Sequence, residues 1–361
     1  PTQGKIFAVN AKTGKPMWTF DILQKDDPKS WPGDSGEVGG SGAWLPGTYD
    51  EKTDTIYIGT ANAAPDFYGA ERVGDNKWSA SLLAIDPKTG KLKWGLQEIP
   101  HDVWDYDASY EALALKHNGK DVLVHLNKSG FVFVVDKKDG GIENVWPLAQ
   151  NINFVDGINP KTGELGKRKP MPVGEETTIC PYLLGARSWN HGAYNPSTGL
   201  WYTNAMEVCN VVVPAPQEHE SVGLAGLYLG VSKLVAVPPP GGKASARLDA
   251  RDPITGKLKW SIDYALPGLS SVLTTGGNLV FNGSPKGIIH AYNAENGKEV
   301  WNFNAGSGLR GGIVSYSVNG KQYILASTGM GSHAPGFMAS AFPEMGGLPG
   351  GAALIAFTLG E

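Results

Sequence analysis

The stretch Leu82-Leu83-Ala84-Ile85-Asp86-Pro87-Lys88-Thr89-Gly90-Lys91-Leu92-Lys93-Trp94 decides the fold, because it recurs. Ile6-Phe7-Ala8-Val9-Asn10 leads through Thr13-Gly14 to Trp18. Ala250-Arg251-Asp252 leads through Thr255-Gly256 to Trp260, and Ala291-Tyr292-Asn293 through Asn296-Gly297 to Trp301. A degenerate copy runs from Phe133 through Asp136 and Gly140 to Trp146. Each copy reads as strand, tight turn, strand. The apolar run makes the first strand, Asp or Asn caps the turn with its side chain, and Gly supplies the positive φ that ends it. The Trp then begins the second strand and offers a flat face for packing on a neighbouring unit. The Trp260-to-Trp301 spacing is that of one four-stranded blade. Longer gaps, such as Trp18 to Trp94, hold inserted loops. The pattern predicts an all-β chain of the β-propeller class.

Composition agrees. The 361 residues include 49 Gly, 25 Pro and 11 Trp, with few long helical stretches. A net charge of -4 gives no reason to expect nucleic acid. No apolar run reaches the roughly 18 residues that a membrane-spanning helix needs. No leader is visible in a chain that opens at Pro1. Cys180 and Cys209 are either reduced core residues or one disulfide, and the residues alone leave both open. About five blades are counted. The chain begins just before a repeat, so residues 1–361 are expected to form a single propeller domain that is incomplete at its N-terminal side.

Function is expected in the inserted segments, because loops on a rigid scaffold carry chemistry. Pro100-His101-Asp102-Val103-Trp104-Asp105-Tyr106-Asp107 crowds three carboxylates among aromatics. In extended backbone Asp105 and Asp107 would point to one side, where they repel unless a shared proton or a hard cation neutralises them. A solvated acidic loop is the plainer account of that stretch. Four other segments accompany it: Gly39-Gly40-Ser41-Gly42-Ala43-Trp44, Gly59-Thr60-Ala61-Asn62, Asn127-Lys128-Ser129-Gly130 and Ser188-Trp189-Asn190-His191-Gly192. Singly, each is explained as a packed Trp, a turn Asn, a solvated Lys or a loop Asn. Together, at successive blade ends, they outline a site.

At these residues the chain resembles the quinoprotein alcohol dehydrogenases, enzymes that use pyrroloquinoline quinone (PQQ). The markers are the Gly-rich stretch ending at Trp44, Gly59 to Pro65, Gly74-Asp75-Asn76-Lys77-Trp78, and Pro100 to Asp107, the last most similar to methanol-dehydrogenase-type members. The resemblance implies an eight-bladed quinoprotein propeller of which this chain covers roughly the last five blades. It implies that Trp44 stacks on PQQ, that Lys128 and Asn190 hydrogen-bond the cofactor, and that Asn62, Asp105 and Asp107 ligate a metal ion. Asp105 would also be the general base, and Cys180 and Cys209 a structural disulfide. The implied activity is periplasmic oxidation of a primary alcohol to an aldehyde. The metal would act as a Lewis acid on the PQQ C5 carbonyl, and electrons would pass to a soluble cytochrome c.

A homodimer is a further family-level expectation. Asp107 favours a lanthanide over Ca2+, because a trivalent ion needs more anionic oxygen. The family's upstream metal-ligating Glu has no counterpart in the sequence. Leu269 stands where similar methanol dehydrogenases carry a Trp, which argues against methanol preference. The competing reading is a non-enzymatic propeller scaffold of outer-membrane assembly type. Such a scaffold has no reason to aim Asn62 and two carboxylates at a Trp.

Overall fold

A computed structural model describes residues 3–37, 39–117, 119–217, 227–348 and 350–359. Every copy of the repeat is an antiparallel hairpin. The five are β1 (Lys5–Val9) with β2 (Pro16–Asp21), β5 (Ser81–Ile85) with β6 (Leu92–Gln97), β9 (Phe131–Asp136) with β10 (Ile142–Pro147), β16 (Ser245–Arg251) with β17 (Leu258–Tyr264), and β20 (Ile288–Asn293) with β21 (Glu299–Asn304).

The turn chemistry is the expected one. Asp86 Oδ1 accepts the N–H groups of Lys88 and Thr89, each at 2.9 Å. Gly90 takes φ +70° and donates to the Asp86 carbonyl at 2.9 Å. The Trp of one hairpin lies on the turn of the hairpin that follows it in the chain. Trp18 Nε1 donates to Pro87 O at 2.9 Å, Trp94 Nε1 to Lys137 O at 3.2 Å, and Trp260 Nε1 to Ala294 O at 3.0 Å. A methyl group on Gly90 or Gly140 would fall 2.6 Å from the ring of Trp18 or Trp94. Glycine at those turns therefore serves twice: it adopts the left-handed φ and it lets the indole lie flat on the backbone.

The chain divides into two compact units. The first comprises Pro1–Pro147, Ile152–Gly185 and Asn210–Leu234. It contains the β1–β2 pair and two four-stranded antiparallel sheets. One runs β3 (Thr48–Asp50), β4 (Thr55–Gly59), β5, β6, and the other β7 (Ala112–His117), β8 (Lys120–Leu126), β9, β10. A three-stranded sheet holds β11 (Thr177–Ile179), β14 (Cys209–Pro214) and β15 (Val231–Val237).

The second unit comprises Leu148–Asn151, Ala186–Cys209 and Val235–Glu361. Its sheets are β12 (Ala193–Asn195), β13 (Leu200–Glu207), β16, β17; then β18 (Leu273–Thr274), β19 (Leu279–Gly283), β20, β21; then β22 (Ile313–Val318), β23 (Lys321–Ser327), β24 (Leu354–Phe357).

Apolar density explains which strands lie inside. Leu82, Leu83, Ala84 and Ile85 of β5 and Val132 to Val135 of β9 are wholly buried, while the Trp-bearing strands are partly or largely exposed, β2 and β17 with alternation and β21 throughout. Neither cysteine is free: both are disulfide-bonded. Among the described residues no helix is long and apolar enough to cross a membrane.

Candidate active site

Three loops of the first unit converge. The first is the Gly-rich stretch before Trp44. Ser41 N–H donates to Asn62 O at 2.7 Å, and Ala61 N–H to Gly42 O at 2.8 Å. Gly40 pairs with Ala63, and a side chain there would fall 2.5 Å from Ala64 N. Glycine is thus required for the close approach that lays this stretch along the Asn62 segment. Trp44, just beyond it, is 45% exposed.

The second loop follows β4. Asn62 is buried. Its backbone N–H donates to Asp107 Oδ1 at 2.8 Å. Its Nδ2 donates to Asp66 Oδ1 at 2.8 Å and to Ala63 O at 3.0 Å.

The third loop is Pro100 to Asp107, and here the expected extended backbone is not what forms. No strand covers it, and Asp105 sits at φ +62°, in the left-handed region. Asp102 imposes that shape. Its Oδ1 accepts Trp104 N–H at 2.9 Å and its Oδ2 accepts Tyr106 N–H at 2.6 Å. Asp102 is therefore a loop-forming carboxylate, fully buried, with its pKa raised to about 6 by burial. Below the loop, Phe154 packs edge-on against Trp104 and Tyr106 at centroid distances of 4.8 and 4.9 Å. Arg168 lies over the Trp104 ring at 4.4 Å and donates to Pro100 O at 2.7 Å.

Asp105 and Asp107 nevertheless meet, through a tertiary partner. Lys128 Nζ is 2.8 Å from Asp105 Oδ1 and 2.7 Å from Asp107 Oδ2. All three side chains are buried. Lys128 N–H also donates to Asp107 O at 3.1 Å, so the turn after β8 is tied to the acidic loop by backbone as well as charge. Burial raises the Asp105 pKa well above the usual carboxylate range; Lys128 pulls it down, while Asp107 and Asp66 push it up. Lys128 moves the other way: burial alone would lower it, and the two carboxylates outweigh burial and raise it. The plain account of Lys128 as a solvated side chain and of Asp105 and Asp107 as a solvated acidic loop does not hold.

Asn190 belongs to the second unit. It is buried, its Nδ2 donates to Arg310 O at 2.7 Å, and its Oδ1 has no hydrogen-bond partner among the described residues. Leu269, also in that unit, is fully buried.

Sequence reasoning missed three residues. Asp66 joins the cluster as a third carboxylate; burial raises its pKa to about 7, the Asn62 amide opposing this and Asp107 adding to it. Among the described residues the Tyr182 hydroxyl has no partner, though the residue is only 1% exposed. Its pKa is raised by burial and by the Asp105 charge, with Lys128 opposing. Arg72 is fully buried and donates to Pro65 O at 2.9 Å, to Asp66 O at 3.3 Å and to Asp102 O, joining the second loop to the third. Their sequence neighbours carry no repeat or spacing that marks them. Among the described residues no group of three or more His, Cys, Asp or Glu is arranged to hold a metal ion.

The family described as "PQQ: Glucose/ethanol/alcohol dehydrogenase, beta-propeller domain" matches residues 1–152 and 242–324. The quinoprotein alcohol dehydrogenase PedH of Pseudomonas putida is 32% identical over 92% of this chain and 60% of its own length. The lanthanide-dependent methanol dehydrogenase of Methylorubrum extorquens is 29% identical over 99% of this chain and 65% of its own length. A solved europium-containing methanol dehydrogenase superposes with a TM-score of 0.86 at 26% identity, over 99% of this chain and 70% of that one. The chain therefore spans about 60% of the length of such curated relatives.

Proposed function

From the premise that this chain belongs to the PQQ-dependent glucose/ethanol/alcohol dehydrogenase β-propeller family, we propose that it carries the alcohol-oxidising site of a quinoprotein. The reaction is oxidation of a primary alcohol to an aldehyde. The observation that carries the reading is the convergence of Asp105 and Asp107 on Lys128, with Asn62 bonded to Asp107.

The residues present suit the cofactor in kind. Trp44 presents an exposed indole face for a flat, electron-poor ring. The Asn62 Oδ1 accepts no hydrogen bond among the described residues, and each carboxylate oxygen retains lone-pair capacity beyond its bonds to Lys128 and Asn62. Two carboxylates and a carboxamide are the hard oxygen donors that a hard cation selects. PQQ and its metal ion, when bound, supply a polarised two-electron acceptor.

The chain's own residues do the rest. Asp105 takes the hydroxyl proton of the alcohol, for which it must be ionised; Lys128 and a cation both favour that form. Lys128 stabilises negative charge that grows on the acceptor. Burial of all three side chains keeps these charges in a low-dielectric site where they act strongly. Asp107 adds anionic oxygen beyond Asp105, which favours a lanthanide over Ca2+. Asn190 is assigned on the family pattern to hydrogen-bond the cofactor edge; its Oδ1 is the atom left without a partner among the described residues. The disulfide fits an oxidising compartment, the periplasm, with a soluble cytochrome c as electron acceptor.

The test is a titration of the full chain with PQQ and either La3+ or Ca2+, followed by near-ultraviolet absorbance and dye-coupled alcohol oxidation. The expected result is cofactor absorbance, turnover with La3+, and loss of La3+-supported turnover in Asp107→Ala. Unchanged turnover in that variant removes the lanthanide assignment. Absence of any bound cofactor removes the enzyme reading.

A further inference from the structure

Asn62 is useful to a cation only if its carboxamide presents oxygen. An amide can flip, and the two orientations differ little in shape, so something must choose. Ala63 O can only accept, 3.0 Å from the amide nitrogen, and the Asp66 carboxylate, when ionised, accepts at 2.8 Å from the same nitrogen. Only the NH2 end of the amide can satisfy them, and the oxygen is therefore turned to the other side. A carboxylate acceptor makes the stronger of these two bonds.

Asp66 is itself delivered by a pinned backbone. Its N–H donates to Tyr228 O at 3.3 Å, the next N–H, of Phe67, donates to Leu229 O at 2.8 Å, and its carbonyl accepts from Arg72. Arg72 also reaches Asp102 O, so the backbone that carries Asp66 is braced against the loop that carries Asp105 and Asp107.

We infer that Asp66 is a positioning residue for Asn62: it holds the carboxamide with its oxygen outward and so sets the affinity of the site for a hard cation. The inference rests on the reading of Asn62 as a cation ligand. Carboxylates that orient a metal-binding side chain cost about 10- to 100-fold in metal affinity when removed. The role differs from simply adding negative charge, and the two can be separated. Asp66→Asn removes the charge but keeps a carboxamide oxygen able to accept the Asn62 Nδ2–H. Asp66→Ala removes both.

The experiment is a Tb3+ titration of the full chain without PQQ, read by protein-sensitised terbium luminescence, with thermal unfolding of each metal-free variant as a folding control. Asp66→Ala is expected to weaken Tb3+ binding by about 10-fold or more, and Asp66→Asn to stay within about threefold of the unsubstituted chain, since the amide contact survives. Should Asp66→Ala fail to fold, Asp66→Ser, too short to reach the amide, takes its place with the same expectation. Equal losses in the Asn and Ala variants would overturn the positioning role in favour of charge alone. Native-like binding by Asp66→Ala would overturn it outright while leaving Asn62 as a ligand. No Tb3+ binding by the unsubstituted chain would overturn both the inference and the metal reading beneath it.

Discussion

The turn at Asp86 and the Asp105/Asp107 pair use the same side chain in opposite ways. Asp86 is local: its acceptors' donors lie two and three residues on, and backbone N–H bonds hold its pKa below the usual range. Asp105 and Asp107 have their partners far away in sequence, at Lys128 and Asn62, and Asp105 is pushed up by burial. A carboxylate near solvent that serves the backbone beside it, as Asp86 does, costs little to place, whereas Asp102 does the same while fully buried and its pKa rises. A buried pair is tolerated only while a cation faces it. The same contrast runs among the tryptophans: Trp18, Trp94 and Trp260 are consumed by docking on turns, whereas Trp44 is left open.

The largest expected effect breaks the buried side of this comparison. Lys128→Met leaves two buried carboxylates without their ammonium and should destabilise the metal-free chain by about 3–5 kcal/mol, read as a lower urea midpoint. Part of the loss should return as pH falls and the carboxylates take protons. A Lys128→Met chain of native stability at pH 7 would mean that the pair is solvated after all.

Next comes the docked turn. Gly140→Ala must accept φ +75° and place its methyl 2.6 Å from the Trp94 ring. Gly14→Ala faces φ +69° with nothing near the new methyl. The first should cost about 2–3 kcal/mol and the second about 1 kcal/mol. Equal losses would show that the backbone conformation, not the indole, requires glycine.

A smaller loss is expected from a turn cap. Asp252 Oδ1 accepts Ile254 N–H at 3.0 Å and Thr255 N–H at 2.7 Å, and Asp252→Ala should lose about 1 kcal/mol. The site should not feel it: Tb3+ affinity unchanged, thermal midpoint slightly lower.

A separate test uses pH. Burial, with Arg72 nearby, lowers the His101 pKa from 6.5 to about 4. The unfolded chain therefore binds a proton at His101 below pH 6.5 that the folded chain refuses until about pH 4. Stability from this group is fully present above pH 6.5 and is lost as pH falls through that window. Asp102, raised to about 6, works against it over part of the same range. The difference between the native chain and His101→Gln isolates the histidine: the variant should lose less of its thermal midpoint between pH 7 and pH 4.5. Parallel curves would remove His101 from the account.

Much of the fold was legible because its signals are short-range. The Asp/Asn-to-Gly turn and the following Trp lie within one hairpin, and all five copies formed. The candidate site was legible in residue type but not in arrangement. The i, i+2 spacing placed Asp105 and Asp107 together for a reason that did not hold. Asp102 bends the loop, and it is Lys128 that unites the carboxylates. Asp66, Arg72 and Tyr182 left no pattern at all, because their roles depend on atoms supplied by other loops.

Read as a string, the chain already determined its β-hairpins, the turns that close them and the residue types of the candidate site, since hydrogen bonds a few residues apart and apolar alternation depend on local order. Tertiary structure alone decided which carboxylates are buried, which of them share Lys128 and which way the Asn62 amide faces. Those outcomes are set by desolvation and by charges far apart in the chain, and neither exists until the loops have packed.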